Sequence, residues 1–141
     1  KQETQNPIHA FNYMQAASNL ERIADHAHRI AQIAREYNCT LADDLKEELM
    51  DMEVQLCGFI DDAISYLLQT NSDKANEMID LIREIQKSAA RITVTSDSLG
   101  KSEMLERLVL AASLERMFDY IMNIGELTIN LSHSTKQAEK G

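Results

Sequence analysis

Two six-residue stretches carry the side chains best placed to do chemistry: Leu20-Glu21-Arg22-Ile23-Ala24-Asp25 and Leu114-Glu115-Arg116-Met117-Phe118-Asp119. Both read L-E-R-x-x-D, and an isoleucine follows each Asp five residues on, at Ile30 and Ile124. On a helix, residues four apart sit about 40° from one another around the axis. Each copy therefore sets two carboxylates on one face, a turn apart. Like charges at that spacing are mildly destabilising, so a cation is expected beside them, either a neighbouring Arg or a metal ion.

Followed further along the helix, the first stripe reads Glu21, Asp25, His28, Gln32 and the second Glu115, Asp119, Met122, Glu126. Carboxylate and imidazole groups sharing a face suit iron, manganese or zinc. The plain alternative differs between the copies. Asp25 has Arg29 one turn on, so an ordinary surface ion pair, worth about 0–1 kcal/mol, explains it. Position 123 is Asn, so no basic residue follows Asp119 in the same way. Glu115, Asp119 and Glu126 are the favoured metal set for that reason. A cluster also needs a second helix, and Glu77, Asp80 and Glu84 are the acids on offer. His26 lies about 100° around from Asp25 and is expected in solvent, as are His9 and His133 near helix ends.

Helices must position these stripes, and the chain has little chemistry for anything else. It has 141 residues with one Pro, four Gly and few aromatics, enough for one all-helical domain with a core of its own. Four apolar patterns step by three and four. The first spans 7–37, opening at Pro7, which suits a first turn. Its seam is Tyr13, Ala16, Leu20, Ile23, Ala27, Ile30, Ala34 and Tyr37, with Asn38 as a left-handed cap. The second spans 42–69 through Leu45, Leu49, Met52, Leu56, Ile60, Ala63 and Leu67, capped by Thr40 or Asp43. Gly58 inside it weakens the helix by about 1 kcal/mol relative to Ala and is read as a mark of close packing. Thr70-Asn71-Ser72-Asp73 is a turn and cap cluster before a third helix over 73–94. A fourth, over 102–133, runs through Leu110, Leu114, Met117, Ile121, Ile124, Thr128 and Leu131, with a weak cap at Ser102 and a frayed polar tail from Ser134. Short connections make neighbours antiparallel, so the expected fold is an up-down bundle of four helices.

The formal charge of −9 and a pI near 4.8 argue against direct nucleic-acid contact, which needs clustered Lys and Arg, and against docking on anionic lipid. From Asp43 to Asp80 there are eleven Asp and Glu against Lys46 and Lys74. That run is either a solvated face or a surface for a basic partner or cations. Cys57, in an apolar run, is expected to be a small buried hydrophobe, and Cys39 to be exposed in a turn. Neither belongs to a disulfide framework, which makes a reducing cytoplasm the expected compartment. No apolar run is long enough to cross a bilayer.

Laid over each other at an offset of 94 residues, the motifs align the first helix with the fourth, Ala17 on Ala111 and Asp25 on Asp119 included. In this the sequence resembles the PhoU family of phosphate-uptake regulators. That family is built from two three-helix repeats whose last helix carries E-R-x-x-D, commonly followed by an N-I pair. Asn123-Ile124 keeps the pair and Arg29-Ile30 replaces it, while the usual Gly before the Asp is Ala24 or Phe118. The resemblance implies that the first helix closes one repeat and the other three form the next, a three-helix repeat plus one helix within a fragment of a longer chain. It implies a non-enzymatic regulator linking a phosphate transporter subunit to a sensor kinase or the transcription apparatus, with Arg22 and Arg116 as motif residues. A homo-oligomer is expected. It also implies metal clusters held by the carboxylates, although Gln86 stands about where the family tends to have another Asp.

Three rivals share the fold. A di-iron carboxylate oxidase needs E-x-x-H on two helices; the nearest approach is Asp25-x-x-His28, and its counterpart ends in Met122. A histidine phosphotransfer bundle would use His26 or His28 beside Arg22 and Arg29. A metal-free dimerisation or adaptor domain of a larger transport or transcription regulator needs no cofactor, since Met-containing seams pack well alone.

Overall fold

The computed structural model describes residues 7–36, 43–89 and 100–140. Each apolar seam winds into a helix: α1 Pro7–Glu36, α2 Asp43–Gln69, α3 Ser72–Ala89 and α4 Lys101–Ala138. No strand occurs among the described residues. Asn38, Cys39, Thr40 and the expected end of the third helix at 90–94 lie outside them. α4 departs from expectation at both ends. Its N-cap is Gly100, in an extended conformation and without a side-chain cap. Its C-terminus passes His133, because no Gly or Pro interrupts the run to Ala138, and the hydroxyls of Ser134 and Thr135 donate back to the carbonyls of Asn130 and Leu131 at 3.0 Å within it. Polarity alone does not end a helix.

The α2–α3 turn shows how the cap cluster works. Thr70 adopts a left-handed φ of 53°, and its N–H reaches the Leu67 carbonyl while Asn71 N–H reaches Tyr66. These bonds satisfy carbonyls that α2 would otherwise leave open. Asn71 Oδ1 then accepts the N–H of Lys74 at 3.1 Å and caps α3. One turn ends α2 and starts α3.

α4 is the shared element. Phe118, Ile121, Ile124, Thr128 and Leu131 are almost wholly buried, with α2 and α3 on one side of the helix and α1 on another. α1 runs antiparallel to α4, since Asn19 meets Asn123 while His26 meets Tyr120. α3 is antiparallel as well, with Ser72 at Ser132 and Gln86 at Asp119. Among the described residues α1 has little contact with α2 or α3. The all-helical, four-helix expectation holds, and its form is a three-helix bundle with a fourth helix laid along α4.

This arrangement decides which seam positions are covered. In α1, Ala16 and Ile23 are buried together with Asn12 and Asn19, while Tyr13, Ala27 and Ala34 are exposed. A helix with one neighbour buries only a narrow strip. In α2, Met52, Leu56, Ala63 and Leu67 face the core. Cys57, about 100° around from Leu56, is exposed rather than buried. Gly58 faces open space, so it marks no close packing among the described residues. The close approach is at Gly125, where an added Cβ would lie 3.1 Å from the side chains of Ile79 and Met78.

Candidate functional site

The second carboxylate stripe lies where α4 meets α3. Gln86 Nε2 donates to Asp119 Oδ1 at 2.9 Å and to the Glu115 carbonyl at 3.3 Å. Arg116 places a guanidinium nitrogen 3.8 Å from the other oxygen of Asp119. The expectation that this copy lacks a cation is therefore corrected: the cation comes from three residues before the Asp instead of four after it. Both spacings bring side chains together on a helix. Glu115 and Glu126 are exposed.

The first stripe faces outward. Glu21, Asp25 and His28 are all exposed, and among the described residues no ion pair joins Asp25 to Arg29, contrary to the sequence expectation. Arg22 instead lies over the Tyr120 ring, 5.6 Å from its centroid, a cation–π contact. His26 packs 5.8 Å from the same ring with its Nδ1 buried and without a hydrogen-bond partner, so it is not the solvated side chain expected. It shares a face with Asn19, Ile23 and Ile30, the face α1 turns to α4. Asn123 completes that seam by donating to Asn19 Oδ1 at 3.2 Å. Gln32 bonds to Glu36 at 2.9 Å, along its own helix.

The two copies thus do not converge. Asp119 is engaged toward α3, and Glu21 and Asp25 face solvent. The acids of α3 are matched on their own helix: Glu77 with Lys74 at 2.7 Å, Asp80 with Arg83 at 3.7 Å, Glu84 with Lys87 at 2.6 Å. The Glu77 hydrogen bond, and then its charge, hold Lys74 above the ordinary lysine range. Among the described residues no three His, Cys, Asp or Glu side chains come together to hold a metal ion. With an amide and a guanidinium already on Asp119, this donor set does not fit a metal cluster.

Sequence reasoning missed Gln86, Tyr120 and Asn19 as the partners of the motifs. The signal available was position: each is polar or amphipathic and stands beside a seam residue. Where α1 and α2 diverge over α4 there is also an open cleft of about 320 Å³, lined by Ile30, Leu49, Leu114 and Met117 and apolar apart from Glu53. Its lining lacks the convergent polar groups of a catalytic pocket. No helix among the described residues is long and apolar enough to cross a membrane.

Comparison with known proteins supports the resemblance. The PhoU domain model matches residues 1–34, which include the first motif. The chain is 26% identical over 127 residues to the phosphate-specific transport system accessory protein PhoU homolog of Clostridium acetobutylicum. That match covers 86% of this chain but spans 58% of the relative's length. No solved structure matches the chain.

Proposed function

We propose that this chain, which is related to the PhoU family, is part of an accessory regulator of phosphate transport that acts by binding other proteins and not by catalysis. The observation that carries this reading is its similarity, along most of its length, to a phosphate-transport accessory protein. The site geometry supports it, because the motif side chains act as clasps between helices: Asp119 ties α3 to α4, and Arg22 ties α1 to α4. Such clasps set helix positions, and helix positions are what a partner reads. The partners proposed are a phosphate transporter subunit or a sensor kinase, met in the cytoplasm, with transcription of phosphate-responsive genes as one output.

Deleting the gene in its host tests the reading. At ample phosphate, the deletion is expected to raise expression from a phosphate-starvation promoter, and the intact gene to restore repression. Unchanged expression and unchanged phosphate uptake at both high and low phosphate would sink it. The reading routes nothing through a metal, because Asp119 already holds an amide and a guanidinium. Elemental analysis of protein purified without chelator checks that point. Stoichiometric iron, manganese or zinc that disappears in Glu115→Gln/Asp119→Asn would bring metal back.

A further inference from the structure

α2 has a second seam, and nothing among the described residues covers it. Its core side is Met52, Leu56, Ala63 and Leu67. On the other side Met50, Val54 and Leu68 are 65%, 73% and 66% exposed, and Cys57 is exposed between them. With half-buried Ile64 and the single acid Asp61, these residues fall at 50, 54, 57, 61, 64 and 68. The steps of four and three match the spacing by which one helix packs on another. Gly58 adjoins this line. Among the described residues nothing lies near it, so their packing gives no reason for a residue that weakens a helix. A glycine there does allow a second backbone to come close.

The rim of the seam selects its occupant. Glu47, Asp51, Glu53 and Asp62 are exposed around it, and Lys46 is the one basic residue in α2. A second copy of the chain would set acidic rim against acidic rim, and an anionic membrane surface would be repelled in the same way. We infer that the outward face of α2 docks a basic amphipathic helix of a protein partner, its apolar stripe on Met50, Val54 and Leu68 and its Lys or Arg residues against the acidic rim. This is the helix-on-groove mode of recognition with charge supplying the choice of partner. It rests on the reading that the chain acts through protein contacts, and names the surface and the chemistry of the contact.

Two synthetic helical peptides of about three heptads, sharing a Leu seam but flanked by Lys and Arg in one and by Glu in the other, test it by fluorescence anisotropy against the full chain. The basic peptide is expected to bind, more weakly as salt rises, and the acidic one not to bind. Val54→Asp/Leu68→Asp, at exposed positions, is expected to lower affinity about tenfold or more. Gly58→Ala is expected to raise Tm while weakening the peptide, which separates lost docking from lost folding. Equal binding of both peptides, or undiminished binding to the double variant, overturns the inference. So does sedimentation showing a dimer that the double variant disperses, since the occupant is then a second copy. Partner proteins that co-purify from the host regardless of Val54→Asp/Leu68→Asp would also remove this face, while leaving the broader regulatory reading in place.

Discussion

Helices α1 and α4 share a motif and differ in company. At the position before the Asp, α4 has Phe118 with no exposed surface, held between neighbours, and α1 has Ala24 in solvent. Asp119 receives an amide from α3 and a guanidinium from its own helix. Asp25 is exposed. Arg116 turns to its Asp, whereas Arg22 turns to an aromatic ring on the other helix. The same six letters therefore do different work, and what decides it is how many sides of the helix are covered.

The sharpest way to break that comparison is a pair of substitutions at the equivalent positions. Phe118→Ala should cost about 3–5 kcal/mol, and Ala24→Phe should stay within about 0.5 kcal/mol. Urea unfolding midpoints at unchanged m-value read both, and a large cost at position 24 would show that α1 is covered as α4 is. Gly125 and Ala31 form the next pair. Gly125→Leu should destabilise by about 1–3 kcal/mol, because Ile79 and Met78 already stand at contact distance. Ala31→Leu, at an exposed site, should be close to neutral.

The polar clasps give smaller differences. Gln86→Ala removes the amide from a half-exposed carboxylate, and about 1 kcal/mol is expected, with a double-mutant cycle against Asp119→Asn reporting the coupling. Asp25→Asn should change stability by less than about 0.5 kcal/mol. Between these two falls Tyr120→Leu, which takes the ring from under Arg22 and should lose about 0.5–1 kcal/mol. If Arg22→Gln has the same effect alone and no further effect in the Tyr120→Leu background, the contact is the cause.

Much of the fold was legible in the sequence. The described spans of α1 and α2 fall inside the expected 7–37 and 42–69, and α2 ends at Gln69 as expected, because the Thr70-Asn71 turn after it is backbone chemistry. The C-terminus of α4 was not legible, since the residues after His133 are polar without being breakers. Cys57 and Gly58 were misplaced for another reason. Around them the apolar residues Val54, Leu56, Phe59 and Ile60 cover more than one face, and periodicity cannot say which face finds a neighbour. His26 suffered likewise, since its burial depends on Tyr120, more than ninety residues away. The carboxylates were readable as stripes, but not as clasps. A helix offers Asp119 an arginine at either spacing, and Gln86 reaches it only through the tertiary packing of α3.

Because α4 is common to both sides of the molecule, assembly has an order. α2 and α3 are joined by a tight turn and can meet early, yet the surface they would bury is on α4. α1 depends on a hydrogen bond between residues 104 apart in the chain, a long loop to close before any contact rewards it. Amide exchange should therefore be slowest around Phe118 to Leu131 and faster along α1. A nascent chain that halts before α4 leaves two sets of apolar seams without a partner, and is a natural client for a chaperone.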